Sequence, residues 1–357
     1  MVDTHTPDYA AIIGAEDADA DWILRPEKHC ELIADKIKAG PLLRILSRDD
    51  LKNIIETYNR EDQAAIHCQE RTKKWGRISI YATLWAVLIG ALFLLPWPEW
   101  STDIWLLDMI APGLKTTGLG LEILAIVVTF LAGWWVKHKQ FYKHWQEHRA
   151  EAEHQRLKIF NAVMAADEQV RSGEEALLPL KLEYFRRFLL DEQMRYYSGR
   201  GNQHKEGSLR SLYWKIFSKT IYLTVAALAV VSFLSIVQAQ GWFEMAWFAR
   251  LQERIPWLLD LGRVAEQSLA GLGVITSAIY TASTALARLD MDEHNATRYL
   301  NTAGNLETLA GVALDNARQA ARTGQTDDVL AFVEQVHSQI STEHQQWRLI
   351  GTVVGRG

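Results

Sequence analysis

The residues of this chain that could handle a ligand or an ion are polar groups placed inside or beside apolar runs. Glu122 stands in the run 116–136. A carboxylate at that depth is costly unless it faces a bundle interior or water, and Glu122 is also near enough to the run's edge and to Lys115 to reach headgroups. Thr276, Ser277, Thr281 and Thr284 crowd into the run 269–289. There Gly273, Ser277, Thr281 and Ala285 recur every four residues, which puts small side chains on one helix face and lets another helix approach closely. Hydroxyls on such a helix could equally line a water-filled path. The densest basic stretch holds Arg186, Arg187, Arg195, Arg200, Lys205 and Arg210. Guanidinium forks suit phosphate, and the glycines of 198–202 could bring backbone amides close to it. Tyr196, Tyr197 and Tyr213 add surfaces on which a base could stack. The same cations also suit a solvated helix face beside a membrane.

Other chemistries find no support. The chain carries no phosphate-binding P-loop, no G-x-S-x-G and no H-E-x-x-H, so no catalytic residue, enzyme activity or cofactor is expected. His144 and His148 have the i,i+4 spacing that can share a metal, but no third ligand is specified, and a solvated stalk is the simpler reading; no metal site is expected. Cys30 and Cys68 match no paired spacing and read as reduced cytosolic thiols. The first 20 residues are acidic and lack an apolar centre, so no cleavable signal peptide is expected. A net charge of −5 gives no bulk basic field for nucleic acid.

The elements that must position these groups are long helices. Overall 48% of the 357 residues are hydrophobic and 23% charged, as in a soluble protein, but apolar runs alternate with charged blocks. A bilayer core needs about 20 apolar helical residues. Four runs qualify: 78–97, 116–136, 220–240 and 269–289. Arg71, Lys73, Lys74 and Arg77 precede the first, Lys137, Lys139 and Lys143 follow the second, and Arg210, Lys215 and Lys219 precede the third. This excess places both termini in the cytoplasm of a bacterial inner membrane, with two short external loops. Trp97, Trp100 and Trp105 suit an interface. The expected fold is an all-α membrane protein: four transmembrane helices arranged as two hairpins, with long cytoplasmic helical extensions, in a homo-oligomer. The expected division is 1–77 cytoplasmic, 78–136 first hairpin, 137–219 stalk and return helix, 220–289 second hairpin, and 290–357 cytoplasmic.

Local signals fill in the extensions. An acidic, mobile start gives way to helical periodicity near Glu27, and Asp49-Asp50 can cap a helix from about Leu51. Residues 137–170 lack Pro and Gly and should continue the second span as a stalk until Ser172-Gly173. A return helix over about 178–197 should end in a Gly-rich turn at 198–202. In the last helix Leu330, Val333, Ile340 and Trp347 have heptad-like spacing and ask for a partner surface. Tyr58 lies 17 residues before Trp75, and Tyr197 lies 17 before Trp214, consistent with two hairpin-plus-stalk units.

Three segments carry a family resemblance. Trp145, Arg149, Ala150, Ala152 and Glu153 give W-x3-R-A-x-A-E after the first hairpin, Asp191–Tyr197 leads into a span, and Glu343 precedes Trp347 near the end. In this order they resemble SLATT proteins over about 137–350. That resemblance implies a pore-forming or membrane-perturbing effector of bacterial antiphage defence that halts the infected cell, paired with a nucleotide-signal synthase. The usual unit has one hairpin; two hairpins are similar to the effectors of Hailong systems. That likeness implies gating by single-stranded DNA oligomers made by a partner nucleotidyltransferase. The expected function is therefore a ligand-gated ion channel or pore. The alternative is a membrane scaffold that anchors a cytosolic partner without conductance; a lipid-modifying enzyme is a third reading that no catalytic cluster supports.

Overall fold

The computed structural model of the chain describes residues 7–94, 105–239, 273–287, 289 and 292–354. All regular structure among them is helical. In chain order the helices are α1 (Tyr9–Ile13), α2 (Pro26–Leu32), α3 (Gly40–Leu46), α4 (Asp49–Leu94), α5 (Trp105–Lys139), α6 (Phe141–Ala165) and α7 (Leu177–Phe185). A π-helical turn (Arg186–Asp191) then leads into α8 (Glu192–Ala239). They are followed by α9 (Gly273–Ala287), α10 (Asp292–Thr308), a second π turn (Leu309–Ala313), α11 (Leu314–Thr323) and α12 (Thr326–Val354). The chain folds into two compact units, one from Met1–Arg71, Gln140–Lys205 and Glu293–Gly357, the other from Thr72–Lys139 and Glu206–Asp292.

In the first unit α7 is the centre. It is buried on nearly every side, Lys181 and Glu183 included, as suits a helix surrounded by others, and it packs on α1, α3, α6 and α11. Leu180, Leu182, Tyr184 and Phe185 are buried, each contributing about 1.5–3 kcal/mol of hydrophobic stabilisation. Phe185 meets Phe160 of α6 edge-on at 6.1 Å and Phe332 of α12 at 6.3 Å. The last helix therefore finds its partner surface within its own chain. The buried stripe of α12 is Val329, Phe332, Val333, Val336 and Ile340, whereas Leu330 is 40% exposed. The expected stripe thus started one residue late: Val329, not Leu330, begins the i, i+4, i+7 face.

Four further expectations are corrected here. The N-terminal stretch is built in rather than loose: Asp8 caps α1 through Ala11 N at 3.2 Å, and Ile12 and Ile13 are buried. The stalk is not continuous with α5, because Gln140 has a left-handed backbone (φ 46°) and α6 starts anew at Phe141. It also ends at Ala165, before the left-handed Gly173. There is no turn at 198–202; α8 runs through it. Gly201 is there for closeness, since a Cβ would lie 2.8 Å from the Leu300 side chain. The helix expected from about Leu51 starts at Asp49, with Asp49 and Asp50 in its first turn rather than ahead of it, and the C-terminal region is helical as expected.

The second unit is built on the second half of α4, α5, the second part of α8, and α9. Trp75 faces Trp135 at 6.4 Å, Thr83 faces Thr129 at 3.3 Å, and Gly90 faces Glu122. These pairs run in opposite directions along the chain, so α4 and α5 form an antiparallel hairpin. Ala86, Ala91 and Ala132 are buried between helices, where small side chains allow close packing. Among the described residues one helix is long and apolar enough to cross a bilayer. Within Gly120–Ala165 an 18-residue window has a mean hydropathy of 1.6, and 6% of it is buried. The central helix of a soluble core would be mostly buried instead. Gly273–Ala287 is a shorter apolar helix. The first and third apolar runs form the later parts of α4 and α8, with 95–97 and 240 outside the described residues, as are 269–272 and Arg288 of the fourth.

Candidate functional site

Within the second unit a groove of about 610 Å³ lies between α4 and α9. Its polar groups are Ser79 and Thr83 from α4 and Ser277 and Thr281 from α9; Ile80, Leu84, Val87 and Val274 complete its walls with Gly273, Ala278, Ala282 and Ala285. The four-residue stripe of α9 therefore faces this groove as a set. On the same helix Thr276 is buried and is not among the residues that line the groove. Thr83 donates to the carbonyl of Ser79 at 2.8 Å, and Thr284 to that of Tyr280 at 2.9 Å. Such back-bonding satisfies the hydroxyl proton inside the helix and leaves oxygen lone pairs for water.

The expected pore-lining residues therefore separate. Ser277 and Thr281 line the groove together. Thr276 is buried away from it, and Thr284 lies outside the lining set. Glu122 is half-buried on α5, with Oε1 3.0 Å from where a Cβ on Gly90 would stand. The glycine thus gives the carboxylate room against α4. Ser79 and Thr83 were missed by sequence reasoning, although their i,i+4 spacing in an apolar run repeats the signal recognised at Ser277 and Thr281.

In the first unit the basic stretch does not form one open cluster. Arg186 binds Glu183 at 2.6 Å and also pairs with Asp191. Arg187 is fully buried: its Nε and Nη2 reach the two carboxylate oxygens of Asp21 at 3.1 and 2.8 Å. Its Nη1 donates to the carbonyls of Ile13 at 2.8 Å and Leu32 at 3.2 Å. Arg187 is a structural clamp on the N-terminal segment and could not fork a phosphate without stranding Asp21. Arg195 pairs with Glu192. Arg200 and Lys205 are exposed, Arg200 donating to Gln203 at 3.2 Å and lying 5.9 Å from the Tyr196 ring. The Arg210 side chain lies outside the described residues. Beside the clamp, His29 stacks on Phe188 at 4.0 Å and contacts the Tyr184 hydroxyl at 2.7 Å and the Ile23 carbonyl at 2.9 Å. Burial pushes its pKa down to about 4.

The W-x3-R-A-x-A-E segment lies on α6 against α4. Arg149 pairs with Asp62 at 3.1 Å and Glu153 at 2.7 Å. Arg156 pairs with Glu153 at 3.0 Å and donates to the Tyr58 hydroxyl at 2.8 Å. His148 meets Glu61 at 2.7 Å, so it serves this helix contact, and no cluster that could hold a metal occurs among the described residues. A second hollow of about 410 Å³, bordered by Asp8, Glu183, Asp315, Arg318 and Arg322, joins segments remote in sequence. Arg318 is committed there to Glu183 at 2.6 Å, and three carboxylates against two guanidiniums make it a poor cradle for polyphosphate. No protein-family model matches the chain, and none of the curated proteins or solved structures compared with it matches significantly.

Proposed function

We propose that this chain is a subunit of a ligand-controlled membrane channel or pore, with four spans arranged as two hairpins and both termini in the bacterial cytoplasm. The observation that carries this reading is the hydroxyl-lined groove between α4 and α9, set in a unit that otherwise offers lipid-like surfaces such as Leu124, Phe130 and Trp134. Apolar area of that kind in water marks a membrane or partner surface, and hydroxyls concentrated on one strip of it suit a wet path. Further copies of the chain would close the groove into a conduit. The resemblance to SLATT effectors supports a role in antiphage defence. It also supports control by a nucleotide or single-stranded DNA oligomer made by a partner nucleotidyltransferase. The exposed Arg200 and Lys205 and the ring of Tyr196 are the remaining ligand-facing candidates. A ligand opens such a protein only by binding one state better than the other. The apolar stripe of α12 over 329–340 is covered by its own chain, so a scaffold would have to dock its partner on another helical surface.

The test is ion flux through the reconstituted full chain with and without nucleotides and short DNA oligomers. Flux is expected in one ligand condition, and S277L/T281L, which fills the groove with isobutyl groups, is expected to reduce it at least tenfold. Tight vesicles under every condition would overturn the channel reading. Orientation is checked with single cysteines at Glu99 and Arg254. These should react with an impermeant reagent in intact cells, while Cys30 and Cys68 react only after permeabilisation.

A further inference from the structure

We infer that the turn of α4 around Trp75 and the last turn of α5 together form a binding site for the headgroups of anionic phospholipids, an inference that rests on the membrane reading above. Both turns belong to the second unit, and the contact between Trp75 and Trp135 at 6.4 Å sets them side by side. α4 brings Lys73 and Lys74; α5 brings Lys139, whose ammonium lies 5.2 Å from the centre of the Trp135 ring. One residue earlier His138 stacks parallel on Trp134, with 5.1 Å between ring centres and 6° between planes. Trp134 is 50% exposed, and His138 and Lys139 are exposed as well.

Charge and chemistry select the occupant. No ion pair joins Lys73, Lys74 or Lys139 to a carboxylate among the described residues, so the two adjoining turns carry three ammonium groups without internal neutralisation. Indoles favour the headgroup level of a bilayer, where an apolar ring and a polar N–H are both satisfied. α5 also stops here: Gln140 takes a left-handed backbone directly after Lys139, which fixes where the apolar helix gives way to polar chain. Below this level the same hairpin offers exposed Phe130 and Leu131, suited to acyl chains. A soluble anion could use the ammonium groups but not that apolar floor; a phospholipid uses both. Each basic residue close to an anionic surface strengthens attraction by about fivefold.

The experiment uses the full chain purified into nanodiscs of phosphatidylcholine containing phosphatidylglycerol, with retained lipids counted by native mass spectrometry. Phosphatidylglycerol is expected to be retained in preference to phosphatidylcholine, and K73Q/K74Q/K139Q is expected to lower that preference at least tenfold. K36Q/K38Q/K158Q, with the same charge change at exposed positions of the first unit, should leave it unaltered. Added inorganic phosphate should not displace the lipid. Equal losses in both triple variants, displacement by phosphate, or no preference in the unmodified chain would each overturn the site. Resistance of the chain to alkaline extraction from membranes separates the two levels. If it is extracted, the membrane reading falls together with this inference; if it resists but shows no preference, only the headgroup site falls.

Discussion

Arg187 and His29 show how much of the first unit hangs on two buried polar side chains. Replacing Arg187 by Met would leave Asp21, itself buried, without its counter-charge and would release the carbonyls of Ile13 and Leu32. Removing one partner of a buried pair costs about 3–5 kcal/mol, so R187M should lower the unfolding midpoint of the first unit strongly in denaturant titration. R200M, at an exposed position, should change it by less than about 0.5 kcal/mol. His29 sets an acid limit. Its folded pKa is about 4, below the ordinary value near 6.5. Between these values the unfolded chain takes up a proton that the folded chain refuses. Stability is therefore fully present above about pH 6.5 and declines as the pH falls towards 4, by roughly 2 kcal/mol at pH 5 from this residue. His337, also held down to about 4 by burial, adds a loss of the same sign. Denaturation at pH 7 and pH 5 measures the slope, and H29F should flatten it.

Among the helices, glycines give the clearest contrast. Gly199 and Gly201 both lie inside α8, yet a Cβ at Gly199 meets nothing within 4 Å while one at Gly201 falls 2.8 Å from Leu300. G199A should stabilise by up to about 1 kcal/mol through helix propensity, and G201A should destabilise by about 1–3 kcal/mol through overpacking; thermal melts of the two variants should shift in opposite directions. This pair also shows where sequence reading stops. Helix identity was legible from charge blocks and apolar runs, and the start of α4 from its acidic pair. The glycines of 198–202 resembled a turn because their reason, an approach by Leu300 from α10, is tertiary. The break at Gln140 has no local signal of Pro or Gly. In the groove, Ser277 and Thr281 were readable from their spacing, but their facing partners on α4 follow only from packing. Arg187 looked like a phosphate fork because Asp21 lies 166 residues away.

At the scale of the molecule, each unit is assembled from separated stretches of chain. The first needs three of them, and its core joins Phe160, Phe185 and Phe332. A chain ending at residue 290 should therefore expose the faces of α6 and α7 that α11 and α12 cover. Such a truncation should bind a hydrophobic dye and be cleaved by protease within the first unit far faster than the full chain.

That interleaving also orders events at the ribosome. The α4–α5 hairpin is made before α6, α7 and the helices after residue 292 that complete the first unit. α12, whose Phe332 packs on Phe185, is translated after α9. Until then the nascent chain carries an open apolar cleft and cannot complete the unit to which its own first helix belongs. The first unit can therefore close only once α12 has been made.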